Sequence, residues 1–216
     1  MVRLGRSEEA ERRRGTPADL LVIGLGNPGE NFDGTRHNVG AEAVVRVAAR
    51  YGEQLRKSKE RSLVTEIRIG QKRVVLAFPQ TFMNNSGEAV RALRKRYGIV
   101  DGEQMLVVHD ELDLPVGRLK LKQGGGLAGH NGLRSITQHV GGGHFMRLRI
   151  GIGKPPPSQD VRDFVLKRPG KTERTILDTA ISNASEAIEL LVRDGLDATM
   201  NAVNRRGEES GPDATN

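Results

Sequence analysis

The sequence predicts a single α/β domain: a twisted, mostly parallel mixed β-sheet flanked by helices on both faces. Three observations lead there. Short apolar runs of strand character alternate with segments whose apolar residues recur at helical spacing. Glycine and proline punctuate the joints between them. With 216 residues the chain can build one sizeable core, burying about 70% of the surface its unfolded form exposes.

The elements follow in order. Leu20–Ile23 reads as a short buried strand ending in glycine. Val39, Ala43, Val44, Val47 and Ala48 recur at helical spacing, behind Asn38 as the expected N-cap. The apolar runs 63–69 and 74–78, split by Gly70-Gln71, predict a hairpin. Ala89, Val90, Leu93 and Tyr97 mark a second helix that Gly98 closes, with Asn85 and Glu88 at capping-box spacing at its start. Residues 105–108 and 119–121 read as strands around the turn at Leu114–Gly117. Leu133, Ile136 and Val140 place a short third helix, and 147–152 alternates as a strand. Beyond Pro155–Pro157, a long helix presents one stripe of Ile176, Leu177, Ala180, Ile181, Ala184, Ala187, Ile188 and Leu191. In sheets of this kind the active site lies beyond the carboxyl ends of the strands.

Composition narrows the function. With no cysteine, disulfides, thiolate metal sites and cysteine nucleophiles are excluded. No apolar run approaches the roughly 20 residues that cross a bilayer. The opening MVRLGRSEEAERRRG is polar throughout, so a cytoplasmic protein without membrane contact is expected. Residues 1–17 and 205–216 read as flexible polar tails around a domain at 18–204. The tails carry +2 and −1, leaving about +6 of the net +7 in the body. Such a body suits a polyanionic partner such as nucleic acid. With five Phe, two Tyr and no Trp, a base-stacking platform is not expected, and RNA would be held by phosphate and shape.

Four motifs stand where strands end. Gly24-Leu25-Gly26-Asn27-Pro28-Gly29 fits a dinucleotide pattern, but no helix opens within it and the acidic partner about 20 residues on is missing. It reads instead as a rigid loop carrying Asn27, with His37 at its far end just before a helix. Thr81–Glu88 places Asn84 in a strand-to-helix loop. His109-Asp110-Glu111-Leu112-Asp113 offers three carboxylates, of which Asp110, taken to follow its strand directly, is the candidate to orient a histidine. Lys120 and Lys122 share a strand face ahead of a glycine-rich stretch and a helix opening at His130-Asn131, a combination suited to phosphate. No Gly-Lys-Ser/Thr ends that stretch, so an NTPase is not expected. Arg147 and Arg149 share a face in the same way. The economical chemistry is water activated by a histidine.

Read together, GLGNPG with TRHNVG, PQTFMNNSGEAV, HDELDLPVG, GGGLAGHNGLRSI and FMRLRIGIGKP resemble the bacterial peptidyl-tRNA hydrolase family, in that family's order, over roughly residues 19–195. The resemblance implies hydrolysis of the ester between a peptide and the tRNA 3′ ribose. It implies His37 as general base, Asp110 as its orienting carboxylate, and Asn27 and Asn84 as positioning amides, Asn84 also facing the oxyanion. Met83 would pack near the aminoacyl portion, Asn131 and His130 would form the rim toward the acceptor end, and Lys122 and Arg149, with Lys120 nearby, would clamp the tRNA 5′ phosphate. The partner implied is peptidyl-tRNA, met at its acceptor stem, 5′ phosphate and 3′ CCA end, by a monomer with no cofactor and no metal. Phe32 stands where the family often has Tyr, and Leu127 where His is common. A non-catalytic RNA-binding relative of the same fold is the alternative. The intact set Asn27, His37, Asn84 and Asp110 weighs against it.

Overall fold

The structure, a computed structural model, describes residues 17–206. Seven strands form one sheet: β1 (Leu20–Gly24), β2 (Arg56–Ser58), β3 (Ser62–Ile69), β4 (Lys72–Pro79), β5 (Met105–Glu111), β6 (Leu119–Gln123) and β7 (Met146–Gly151). Their order is β2-β3-β4-β1-β5-β7-β6. The central strands β4, β1, β5 and β7 are parallel, while the β3–β4 hairpin, the short β2 and the edge strand β6 pair antiparallel.

Six helices among the described residues cover both faces: α1 (Val39–Arg50), α2 (Ser86–Tyr97), α3 (Asn131–Val140), α4 (Val161–Val165), α5 (Lys171–Asp194) and α6 (Leu196–Arg206). One core joins Val22, Leu76, Leu106 and Leu148 to α1 and α5. The other joins Leu21, Ile23, Val75 and Val107 to α2 and α3 through Val90, Leu93, Leu133 and Ile136. β4, β1 and β5 are therefore buried on both sides, which is why they read as unbroken apolar runs, whereas β7 alternates because Arg147 and Arg149 stand on one of its faces. Gly70 (φ 61°) turns the hairpin and Gly98 (φ 65°) closes α2 in the left-handed region, as expected.

Two glycines bring the layers close at the end of the sheet that matters. A Cβ at Gly40 would stand 2.2 Å from Val108 O, so α1 can settle onto the end of β5 only without one. A Cβ at Gly87 would stand 2.1 Å from Ser135 O, which lets α2 and α3 meet.

Several expectations need correction. Neither Asn38 nor Asn85 caps its helix with its side chain, and no capping box links Asn85 to Glu88. A 3₁₀ turn precedes each helix (Arg36–Asn38 and Met83–Asn85), so both asparagines sit near φ −100° to −113° and ψ 1° to 8°. Side-chain capping needs an extended residue at that position. Glu88 pairs with Arg61 instead. β5 runs through Glu111, so Asp110 lies inside the strand rather than after it. Ile176 leaves the predicted stripe and is exposed, since it lies against the Gly117 turn rather than the core. The stretch after the prolines holds α4 before the long helix begins. α6 was not anticipated; Asn204 anchors it by accepting from Leu121 N–H (2.9 Å) and donating to Leu121 C=O (3.0 Å), which covers the β6 edge. Of the two predicted tails, only Pro17 and the last α6 residues, Arg205 and Arg206, lie within the described residues.

Candidate active site

The site opens where the parallel strands end, as the fold rule requires. Asp110, on β5 and only 3% exposed, is its centre. His37 Nδ1 lies 2.9 Å from both carboxylate oxygens. His130 Nε2 approaches Oδ1 at 3.0 Å from another side. The rest of the His130 ring decides its tautomer. Its Nδ1 accepts the N–H groups of Gly132 (3.1 Å) and Leu133 (3.4 Å), capping α3. A nitrogen that accepts two backbone protons carries none, so the proton sits on Nε2 and is donated to Asp110. Asp110 is an acceptor only, so His37 donates from Nδ1, and its Nε2 is left with a free lone pair at the cleft.

Burial works against the His37 imidazolium, but the charge and hydrogen bond of Asp110 more than offset it, so the ring's pKa stands above its ordinary 6.5. Burial alone would raise the Asp110 carboxyl; His37 and His130, by electrostatic attraction and hydrogen bonding, hold it well below the usual carboxylate range. His109, next along β5, is 1% exposed and donates from Nδ1 to the Asp110 carbonyl (2.6 Å). Burial, and then the neighbouring His130 ring, push its pKa down to about 3, so it stays neutral.

Asn27 is built in by the loop after β1. Its Oδ1 accepts Met83 N–H (2.8 Å), which fixes the amide with Nδ2 outward. Asn38 holds the Asn27 backbone on both sides, accepting its N–H and donating to its C=O, each at 2.9 Å. This is where the expected helix cap went. The cleft beyond, of about 810 Å³, is lined by Asn27, Phe32, His37, Met83, Asn84, Asp110, His130 and Asn131. Asn84 and Asn131 are exposed, and Met83 is buried. Phe82, Leu112, Val161, Val165 and Leu166 add an apolar wall, and the Phe32 and Phe82 rings meet edge to face at 6.3 Å.

The basic residues lie further out, on β7 and on the edge strand β6. Lys120 pairs across from Arg149, and Lys122 from Arg147, so the four share one sheet face. Lys120 and Lys122 are exposed. Arg149 is held by the buried carboxylate of Glu111, which takes its Nε at 2.8 Å and Nη2 at 2.6 Å. Arg147 is buried and donates to the carbonyls of Gly126 (2.8 Å) and Gly143 (3.2 Å), securing the glycine-rich stretch from beneath.

The three carboxylates of the acidic motif separate: Asp110 to the histidines, Glu111 to Arg149, and Asp113 to Lys154 at 3.1 Å. Among the described residues, the group able to converge on a metal is His37, Asp110 and His130, whose donor atoms lie within 4.8 Å of one another. Zinc bonds of about 2.0–2.2 Å to all three would require displacing both shared protons. The sequence reading missed the contact of His130 with Asp110, the part Phe82 plays in the cleft wall, and the roles of Glu111 and Asn38, which it placed only in an acidic motif and at a helix start.

The family profile described as Peptidyl-tRNA hydrolase matches residues 21–211. The peptidyl-tRNA hydrolase of Chloroflexus aggregans is 44% identical over 184 residues, 85% of this chain and 98% of that one. That of Mycobacterium ulcerans is 46% identical over 186 residues, 86% of this chain and 97% of that one. The crystal structure of peptidyl-tRNA hydrolase from Acinetobacter baumannii superposes with a TM-score of 0.81 at 40% identity, covering 87% of this chain and 96% of that one. No helix among the described residues is long and apolar enough to cross a membrane.

Proposed function

The chain belongs to the peptidyl-tRNA hydrolase family and hydrolyses peptidyl-tRNA; from that premise we propose that His37 is its general base and Asp110 the carboxylate that aims it. His37 Nε2 takes a proton from water as the oxygen attacks the ester carbonyl carbon. Asp110 stabilises the imidazolium that forms. The tetrahedral adduct collapses by breaking the bond to the ribose oxygen, which receives the proton back from Nε2. The peptide acid formed loses the water's second proton to solvent, so the products are a peptide carboxylate and tRNA with a free ribose hydroxyl.

Asn27 Nδ2 and the Asn84 amide are the donors available to the peptide carbonyl and the developing oxyanion. Met83, Phe32 and the apolar wall suit the aminoacyl portion, and Asn131 suits the rim toward the acceptor end and the 3′ CCA. The His130 ring, expected there too, has both nitrogens engaged and serves to hold Asp110. Lys122 and Arg149, with Lys120 beside them, suit the 5′ phosphate. The working unit is the domain at 18–204, acting as a cytoplasmic monomer. The His37–Asp110–His130 arrangement carries this reading, because it leaves one unprotonated nitrogen at the cleft. A non-catalytic RNA-binding role is not favoured. The test is release of peptide from peptidyl-tRNA by the parent and by His37→Ala, run beside a peptide amide and an aminoacyl-tRNA with a free amine. Release from the first substrate alone, lost in the variant, is the expected result.

A further inference from the structure

His37 sits in a single 3₁₀ turn, Arg36–Asn38, and the side chain before it points the other way. Arg36 is 7% exposed. Its Nε and Nη2 meet the two carboxylate oxygens of Glu173, at the start of α5, at 2.6 Å each. Its Nη1 donates to the carbonyls of Phe164 (3.2 Å) and Lys167 (3.1 Å), and its backbone N–H reaches Lys167 C=O at 3.4 Å. The guanidinium carbon lies 4.3 Å from the centre of the Phe164 ring. Lysine has one nitrogen and could not make this set of bonds.

Phe164 belongs to α4, and the same helix turns Val161 and Val165 into the cleft. A second tie runs in parallel: Arg168 donates to the carbonyls of Asp33 (2.8 Å) and Glu30 (3.0 Å) in the loop before His37. One wall of the cleft and the turn that carries the imidazole are thus joined through charge-assisted hydrogen bonds, buried or half-buried at Arg36 and exposed at Arg168.

We infer that Arg36 is a positioning residue that couples α4 to His37, so that a peptide pressing on Val161 and Val165 sets the reach of the imidazole. The inference rests on His37 being the base. Arg36 touches neither water nor ester; it acts on where the base stands. A displacement of about 1 Å at a reacting group can cost about 10²-fold in rate.

The test compares Arg36→Lys and Arg36→Met with the parent on two substrates: tRNA carrying a peptide of several residues, and tRNA carrying a single N-acetylglycine, which has no side chain to press on Val161 and Val165. The parent is expected to turn over the longer substrate faster. In the variants, kcat on the longer substrate falls about 10- to 100-fold, KM stays within about threefold, and the advantage of the longer peptide disappears. Equal losses on both substrates, or kcat within about threefold of the parent on both, would overturn the coupling. Circular dichroism and a cooperative melt establish folding. Should either Arg36 variant fail to fold, Glu173→Gln decides: a smaller loss of the same kind supports the inference, and no loss refutes it. His37→Ala is assayed alongside. If it stays active, the base assignment fails; if it is inactive while the Arg36 and Glu173 variants behave as the parent, only the coupling fails.

Discussion

His130 holds Asp110 from a second side, its Nε2–H on Oδ1 at 3.0 Å, while its own Nδ1 is locked by two backbone N–H groups of α3. The carboxylate that aims His37 is therefore fixed by a helix start and by a strand together. Replacing His130 with Ala leaves more of the carboxylate's charge for His37. The acid limb of the kcat/KM profile should move to higher pH, and kcat should fall about tenfold. Loss of the cap should also cost about 1 kcal/mol of stability. A parental pH profile in His130→Ala would contradict this arrangement.

As the proposed base, His37 works only when its Nε2 is unprotonated. Its pKa stands above 6.5, so kcat/KM should decline as pH falls through that raised value. A rate that stays flat from about pH 8 to pH 5 would count against the assignment.

His109 gives the opposite sign in stability. Its folded pKa is about 3, whereas the unfolded chain takes up that proton near 6.5. Folding stability from this residue is complete above about pH 6.5 and is lost, at about 1.4 kcal/mol per pH unit, as pH falls toward 3. His109→Gln can still donate to the Asp110 carbonyl without titrating. Between pH 7.5 and pH 5 it should lose about 2 kcal/mol less stability than the parent, measured by urea unfolding. Equal losses would show that the ring is protonated in the folded state.

Asn27 does two jobs that one substitution separates. Asn27→Asp keeps the acceptor for Met83 N–H and removes the outward donor. The fold should persist while turnover falls about 10²- to 10³-fold. Asn27→Ala should in addition lose about 1–3 kcal/mol of stability, because the Met83 N–H is left unpaired. Turnover near parental in Asn27→Asp would remove Nδ2 from the mechanism.

Lys122→Ala should weaken tRNA binding and lower the slope of log K against log salt by about 0.7–0.9. Arg149→Ala should do the same, and it also strands the buried Glu111 carboxylate, so its stability should drop where that of Lys122→Ala does not. Salt-independent binding in the parent would refute the phosphate clamp.

Much of this was legible in the sequence because it is local. Strand and helix periodicities, the Gly70-Gln71 hairpin, the Gly98 stop and the placement of motifs at strand ends each rest on a few adjacent residues. Asn38 and Asn85 misled because a capping residue and a residue ending a 3₁₀ turn look alike in sequence; only the backbone angles separate them. Asp110 looked like a loop residue because a charge rarely ends a buried strand, and it took two histidines from distant segments to make that burial tolerable. The Arg36–Glu173 pair spans 137 positions, and no spacing rule reaches that far.

The central claim is that one imidazole, aimed by Asp110, activates water at the ester. Single-turnover hydrolysis of saturating peptidyl-tRNA by His37→Ala tests it most directly. The rate constant should fall about 10²- to 10⁴-fold with tRNA affinity unchanged. A rate within about tenfold of the parent would contradict the claim.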